Sequence, residues 1–297
     1  GVGATGADEA YGPNYDLPND GYCETCAQVA MGFFSQHLAQ AFGQAEYADI
    51  VEKYIYDGVL GCIGADGDSF YYQQPLTDKN RPRWDWIEHT PCCPPMFLKF
   101  YGEMPAYIYA YDGSEVYINQ FISSTMDVDG MTVAQESGMP WGGTSTFTTS
   151  GVSRLHIRIP DWAKETGTTV IKVDGAQAEY TVDANGYAVI PVQDGQKVEV
   201  TFPMEARRVY SDERVTANEG KVALAYGPLV YCVESTDMPY IPNFSSGDGN
   251  IGLPKDAELT TRFEEDLLGG VQTITFQGEY YDNFGEKQTA ELKAIPF

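Results

Sequence analysis

Two short motifs hold the residues of this sequence that are best suited to chemistry. One is Glu24-Thr25-Cys26, and the other is the adjacent pair Cys92 and Cys93. Zinc binds thiolate and carboxylate ligands in a tetrahedral arrangement, so these groups could complete one site if folding brings them together. The alternative is that the thiols are reduced and buried, as cysteines in protein cores often are. The residue types leave both interpretations open.

The positions of the cysteines argue against a disulfide framework. The chain has 297 residues, a length at which covalent cross-links are not needed to stabilise a fold. Adjacent cysteines such as Cys92 and Cys93 can bond to each other only with strain. Clustered thiols without a framework favour a metal site or catalysis. The six cysteines are Cys23, Cys26, Cys62, Cys92, Cys93 and Cys232.

Several residues near these motifs could transfer protons or bind sugars. A carboxyl group serves as a general acid when burial raises its pKa, whereas an exposed loop carboxylate does not. His89 could bind a metal or make an ordinary loop hydrogen bond. The aromatic groups at 70–72 and 84–86 could stack on sugars or pack in the core. The acidic candidates are Asp8, Glu9, Asp16, Asp20 and Glu88.

Helices are the elements predicted to position the two motifs. Apolar side chains recur at helical spacing over 25–42 and again over 47–60. Two prolines at 94 and 95 suit the first turn of a third helix, over 96–101. Both motifs therefore lie at the start of a predicted helix, where the helix dipole favours a thiolate.

From residue 106 onward the apolar period changes from helical spacing to alternation. Leu155, Ile157 and Ile159 alternate with polar residues and predict a half-buried strand. Many short runs of this kind, separated by Asp-Gly and Asn-Gly turns, are typical of antiparallel sandwiches. We therefore predict three domains: a helical one over 1–105, a first β-sandwich over 106–205 and a second over 206–297.

The composition excludes several classes of partner. The sequence has 18 Lys and Arg against 43 Asp and Glu, a formal charge of −25. This charge repels phosphate backbones, so we expect neither nucleic-acid binding nor docking on anionic membranes. No apolar stretch approaches the roughly 18–20 residues of a membrane helix. The acidic, lysine-poor composition slightly favours an extracytoplasmic location, periplasmic or secreted, over a cytoplasmic one.

The motifs resemble those of glycoside hydrolase family 127, the β-L-arabinofuranosidases, and of the related family 146. The resemblance extends over nearly all of the chain. It implies an α+β multidomain fold, in which 1–105 is the C-terminal part of an (α/α)6 barrel and two jelly-roll-like antiparallel sandwiches follow. It also implies an upstream half of the barrel, on the same or a separate chain. The matching segments are 15–20, 22–27, 92–95, 158–162 and 222–231.

The resemblance also implies a role for individual residues. Cys92 matches the nucleophile and Tyr72 a substrate-contacting tyrosine. Glu9 matches the general acid/base, with Asp8 as a competitor because the following loop is one residue shorter than in the family. Gln74 replaces a common asparagine, which leaves the sugar open. The residues that match ligands of Zn²⁺ are Glu24, Cys26, Cys92 and Cys93.

The function implied is that of a retaining, zinc-dependent exo-glycosidase with a cysteine nucleophile. Its expected substrates are terminal β-L-arabinofuranosides of plant-type glycans. One alternative keeps this mechanism and changes the sugar, for instance to an acidic sugar of pectin. Another is a carbohydrate-binding relative without turnover. The sequence does not determine the oligomeric state.

Overall fold

The computed structural model describes residues 10–74, 82–86, 92–237, 240–241 and 251–297. These residues form two compact units. One unit comprises 1–28, 56–94 and 205–297, and the other comprises 29–55 and 95–204. The units are sets of residues in mutual contact, and the domain boundaries near 105 and 205 stay predictions.

The helices lie mainly in the first third of the chain. The first helix has the predicted bounds, the second is helical over the predicted range but changes to a π-helix, and the third begins three residues earlier than predicted. The α-helices are α1 (Thr25–Phe42), α2 (Ala45–Lys53), α3 (Cys93–Gly102), α4 (Pro105–Ile108) and α5 (Asp161–Thr166). After α2 come a π-helix (Tyr54–Val59) and a 3-10 turn (Leu60–Cys62), and further 3-10 turns span Thr216–Asn218 and Ser235–Asp237.

A two-stranded sheet follows the first two helices along the chain. It pairs β1 (Ser69–Phe70) with β2 (Trp84–Asp85), and Phe70 lies opposite Trp84. The aromatic residues at 70–72 therefore begin within an extended segment, since Phe70 is the second residue of β1.

Two sheets build most of the unit formed by 29–55 and 95–204. In one, six strands follow the order β10-β9-β12-β7-β6-β5, and in the other, four strands follow β11-β8-β4-β3. The strands are β3 (Tyr109–Asp112), β4 (Glu115–Ile118), β5 (Ser124–Val128), β6 (Met131–Ser137), β7 (Thr144–Ser150), β8 (Arg154–Arg158), β9 (Val170–Val173), β10 (Ala176–Gln177), β11 (Tyr187–Pro191) and β12 (Lys197–Thr201).

The inward faces of these two sheets share one apolar core. Ile118 and Ile157 of the four-stranded sheet belong to the same buried cluster as Phe147 and Val200 of the six-stranded sheet. Each of these side chains is fully excluded from solvent. Burial of apolar surface from both sheets is therefore the main force that stabilises this unit.

The prediction of purely antiparallel sheets was wrong at one pair. Strand β4 runs parallel to β8, with Glu115 opposite Arg154. The chain leaves the four-stranded sheet after β4, passes through β5, β6 and β7 of the other sheet and returns at β8, so the connection is a crossover rather than a hairpin. Alternation of apolar residues specifies a face of a strand but not the direction of its neighbour.

Strand β8 is buried on both faces, although its sequence predicts a half-buried strand. Arg158 is completely buried there, and its Nη2 donates to Glu52 Oε1 of α2 at 2.6 Å. The same guanidinium binds Asp49, and Trp162 Nε1 donates to Glu52 Oε2 at 2.9 Å. Paired carboxylates compensate the buried charge. Helix α2 thus covers the outer face of β8 at Arg158, whereas Arg154 at the other end of the strand is exposed.

The chain after residue 205 contributes seven strands to one sheet. Its order is β13-β14-β15-β19-β18-β16, and β17 shares the edge of β18 with β16. Its longest pair is the hairpin of β18 and β19. The strands are β13 (Ala206–Val209), β14 (Ala223–Tyr226), β15 (Leu229–Cys232), β16 (Ile251–Gly252), β17 (Thr260–Glu264), β18 (Val271–Tyr281) and β19 (Lys287–Pro296).

Among the described residues, none of the helices combines the length and the apolar character needed to cross a membrane.

Candidate metal centre

Folding brings the two motifs together into one cluster. The ligand atoms of Glu24, Cys26, Cys92 and Cys93 all lie within 4.8 Å of one another. Cys26 and Cys93 meet across 67 positions of sequence. The four residues that the family resemblance implies as metal ligands are thus adjacent in space.

A short antiparallel ladder and two helix starts hold these residues. The N–H of Thr25 donates to the carbonyl of Tyr72 at 3.0 Å, and the N–H of Gln74 donates to the carbonyl of Cys23 at 2.9 Å. Helix α1 begins at Thr25, and helix α3 begins at Cys93. Backbone hydrogen bonds therefore hold the chain next to the cluster.

Three distances between donor atoms are close to those expected around a tetrahedral zinc ion. Sulfur atoms bound to zinc at ~2.3 Å lie about 3.8 Å apart, and a bound sulfur and oxygen lie about 3.6 Å apart. The Sγ atoms of Cys92 and Cys93 are 3.8 Å apart, and those of Cys26 and Cys93 are 3.4 Å apart. Cys92 Sγ lies 3.6 Å from Glu24 Oε1. Three thiols and one carboxylate at this spacing are a donor set that suits zinc.

The electrostatics of the cluster disfavour thiolates when no cation is bound. The hydrogen bond with Cys93 raises the pKa of the Cys26 thiol, and burial raises it further. Burial also raises the pKa of Cys92. A coordinating cation reverses this preference, because a thiol bound to a metal loses its proton. The cluster is therefore arranged so that a divalent cation and the thiolates stabilise each other.

Tyr72 is the aromatic residue that reaches the cluster. Its hydroxyl oxygen lies 3.7 Å from Cys92 Sγ. Its ring stacks on Trp84 and meets the edge of Tyr22. Burial and the contact with Cys92 raise the pKa of the Tyr72 hydroxyl, so it keeps its proton at neutral pH. The side chain can donate a hydrogen bond to a thiolate at position 92.

A buried polar layer supports the ligands, and the sequence reasoning did not find it. The Thr25 hydroxyl donates to the carbonyl of Tyr71 at 2.6 Å and lies 3.0 Å from Cys62 Sγ. The Cys62 thiol donates to the carbonyl of Gly58 at 2.9 Å, and burial raises its pKa to about 12. The only signal in the sequence is the position of Thr25 between two ligand-type residues.

The other candidates lie elsewhere. Cys23, Cys62 and Cys232 lie outside the cluster, and Asp16 and Asp20 are exposed. Glu9, its competitor Asp8, and the candidates Glu88 and His89 lie outside the described residues. The acid/base assignment therefore stays a prediction.

Models of one enzyme family match almost the whole chain. The catalytic-domain model of GH127 β-L-arabinofuranosidases matches residues 2–106, and its middle-domain model matches residues 115–204. The C-terminal domain model of glycoside hydrolase family 127 matches residues 206–297.

Individual relatives agree with the family models. A non-reducing end β-L-arabinofuranosidase of Bifidobacterium longum subsp. longum is 33% identical over 92% of this chain and 44% of its own length. A solved GH127 β-arabinofuranosidase is similar over the whole chain and 50% of its own, with a TM-score of 0.88 and 31% identity. A GH127 β-L-arabinofuranosidase from Geobacillus stearothermophilus T6 is similar over the whole chain and 51% of its own, with a TM-score of 0.87 and 30% identity.

The chain spans about half the length of these relatives. The three family models together leave few of its residues unmatched. The Glu/Cys cluster lies in segments that the catalytic-domain model matches. On this evidence the chain belongs to glycoside hydrolase family 127.

Proposed function

We propose that this chain carries the zinc and thiolate centre of a retaining exo-glycosidase that hydrolyses terminal β-L-arabinofuranosides. One observation carries the proposal: the donor atoms of Cys92, Glu24, Cys26 and Cys93 lie within 4.8 Å of one another, within the part matched by the catalytic-domain model. The relatives named above are β-arabinofuranosidases, which favours this sugar.

Bound by the four donors, zinc would supply the positive charge that keeps Cys92 a thiolate at neutral pH. The sulfur of Cys92 attacks the anomeric carbon of the sugar, and the bond from that carbon to the leaving oxygen breaks. Glu9 gives its proton to the leaving oxygen. The product of this first step is a thioglycoside on Cys92.

A second displacement releases the sugar. Glu9, now a carboxylate, takes a proton from water, and the water oxygen attacks the anomeric carbon. The carbon–sulfur bond breaks, and the electron pair returns to Cys92 as a thiolate. Two inversions at one carbon retain its configuration. Glu9 holds this role through the family resemblance, and Asp8 is its alternative.

Tyr72 connects the thiolate to the sugar in this proposal. Its hydroxyl oxygen lies 3.7 Å from the Cys92 sulfur and accepts from the thiol. When Cys92 is a thiolate, the hydroxyl becomes the donor of this hydrogen bond. The family resemblance makes the same side chain a contact of the substrate. A hydroxyl group that contacts both the nucleophile and the sugar would orient the anomeric carbon for attack.

The remaining features of the whole enzyme follow as proposals. The helical segments form the C-terminal part of an (α/α)6 barrel, and the sheets form jelly-roll-like sandwiches; the core shared by two sheets supports the second assignment. The other half of the barrel, on the same or a separate chain, supplies further sugar contacts. An extracytoplasmic location fits the acidic composition.

Metal content and hydrolysis of p-nitrophenyl β-L-arabinofuranoside test the function in the full-length protein. We expect about one zinc per chain and loss of turnover in Cys92→Ser. The matched control is Cys232→Ser, which replaces a partly exposed thiol outside the cluster and should keep both zinc and activity.

The two measurements separate the parts of the proposal. Zinc without hydrolysis would keep the metal site and redirect the search to other plant sugars, an acidic pectin sugar first, or to a binding protein without turnover. Absence of zinc in protein prepared under reducing conditions without chelator would overturn the metal site and return the thiols to the core.

A further inference from the structure

The indole of Trp84 stacks on the ring of Tyr72. The two ring centroids are 4.5 Å apart, and the planes meet at 24°. The hydroxyl of the same tyrosine lies 3.7 Å from Cys92 Sγ. A line of direct contacts therefore runs from Trp84, through one tyrosine, to the sulfur proposed as nucleophile.

Strand pairing sets the position of Trp84 independently of the metal cluster. Strand β2 places Trp84 opposite Phe70 of β1. Phe70 is fully buried, and it makes an edge contact with the Trp84 indole. The two ring centroids are 6.3 Å apart, and the ring planes meet at 71°. Trp86 packs against the same phenylalanine at 6.3 Å. The indole is thus held by a small aromatic cluster, and strand pairing between β1 and β2 fixes the backbone of Phe70 and Trp84.

A hydrogen bond also fixes the backbone of Tyr72, so the position of its hydroxyl depends on the side-chain rotations. Its carbonyl accepts the N–H of Thr25 at 3.0 Å, within the ladder beside the ligands. A tyrosine side chain has two rotatable bonds between this backbone and its hydroxyl. Stacking on Trp84, with the edge of Tyr22 at 6.4 Å, restricts both rotations.

From this geometry we infer that Trp84 is a positioning residue that holds the Tyr72 hydroxyl against Cys92 Sγ. The inference rests on the proposed function only for its kinetic consequence. The structural part of the inference is that Trp84 determines whether the Tyr72 hydroxyl contacts the Cys92 sulfur.

The role of Trp84 can be tested without any sugar by measuring the rate at which iodoacetamide alkylates Cys92. The zinc-loaded, full-length protein is treated, and mass spectrometry of the peptide separates modification at Cys92 from that at Cys93. A donated hydrogen bond lowers the nucleophilicity of a thiolate, so loss of the Tyr72 contact should accelerate alkylation. For Trp84→Ala we expect an increase of about 2- to 12-fold, the range that corresponds to one aromatic pair.

Two further variants separate positioning from general packing. Trp84→Phe keeps a flat ring and should restore a rate close to that of the unmodified protein. Trp86→Ala removes an aromatic neighbour of Phe70 and should leave the rate within about 2-fold, because its ring packs against Phe70 in this cluster. If Trp84→Ala fails to fold, Trp84→Leu fills the space without a stacking ring and takes its place.

A double-mutant cycle gives the decisive comparison. If Trp84 acts through the Tyr72 hydroxyl, Trp84→Ala should have no added effect in a Tyr72→Phe background. Equal acceleration in both backgrounds, or the same acceleration from Trp86→Ala, would overturn the inference.

The outcome is distinguishable from failure of the proposed function. A protein that hydrolyses no arabinofuranoside would contradict the function, yet the alkylation cycle would still decide the role of Trp84. In a protein that does turn over, Trp84→Ala should lower kcat and Trp84→Phe should recover it. Zinc content should be unchanged in both variants.

Discussion

The hydroxyl of Thr25 donates a hydrogen bond of 2.6 Å to the carbonyl oxygen of Tyr71. Thr25 is completely buried and stands between Glu24 and Cys26 in the sequence. Its N–H donates to the next carbonyl along, that of Tyr72. One threonine thus joins the segment that carries two ligands to the segment that carries the tyrosine beside the third.

Replacement of Thr25 by valine should weaken both the fold and the metal site. Thr25→Val keeps the shape and removes the donor, leaving the partly buried carbonyl of Tyr71 without this partner, at a cost of about 1–3 kcal/mol in the free energy of unfolding. Groups that orient metal ligands contribute roughly 10–100-fold in metal affinity. Urea unfolding and zinc competition titrations measure the two effects. Thr25→Ser retains the hydroxyl and is the control; a valine variant with unchanged zinc affinity would contradict the supporting role.

Removal of the metal, or of one ligand, should lower thermal stability. A ligand that binds only the folded state stabilises it by about 2.7 kcal/mol at a free concentration 100 times its Kd. Chelator treatment should therefore lower the Tm of the unmodified protein, and added zinc should restore it. Glu24→Gln should bind less zinc and show a smaller response. A Tm that is insensitive to chelator in protein shown to contain zinc would argue that the cluster is not the site of binding.

The buried ion pair of Arg158 and Glu52 should be costly to break from one side. Both side chains are almost completely buried, and their shortest contact is 2.6 Å. Arg158→Met leaves the Glu52 carboxylate without its main partner, a change that costs about 3–5 kcal/mol in comparable buried pairs. Urea unfolding measures the loss. The double variant Arg158→Met with Glu52→Gln removes both charges and should be more stable than the single variant; equal destabilisation would show that the charge is not the cause.

Asp49 should make stability depend on pH in an unusual direction. Burial, together with the nearby Glu52 carboxylate, raises the pKa of Asp49 to about 6, above its value of ~3.9 in an unfolded chain. Between about pH 4 and pH 6 the folded protein holds a proton that the unfolded chain has released. The contribution of Asp49 to the free energy of unfolding therefore falls as pH rises through this window.

The comparison with Asp49→Asn isolates this contribution. Urea unfolding from pH 4 to pH 7 should show a flatter pH dependence for Asp49→Asn than for the unmodified protein. Asp127→Asn, at an exposed position on β5, should follow the unmodified protein. Parallel curves for all three proteins would show that Asp49 titrates as an ordinary carboxyl group.

Patterns in short segments of the sequence predicted helices and strands whose apolar residues follow a clear period. Helix α1 has the bounds expected from its apolar spacing, and β8 lies where alternation places a strand. The sequence analysis did not predict strands β5, β6 and β7. These strands contain many serine and threonine residues, and their apolar residues alternate only weakly with polar ones. The parallel pairing of β4 with β8 could not be predicted from the sequence pattern either. The relative direction of two paired strands depends on the route that the chain takes from one to the other.

The sequence by itself determined the chemistry available to the site. Glu24, Cys26, Cys92 and Cys93 are metal-ligand types, and both motifs were expected at helix starts. Whether these donors meet was decided only by tertiary structure, which brings together Cys26 and Cys93 across 67 positions of sequence. The same holds for aromatic contacts, such as that between Trp84 and Tyr72. Residue types and periodicities are properties of short segments, whereas distances of a few ångströms between distant segments arise only when the whole fold has packed.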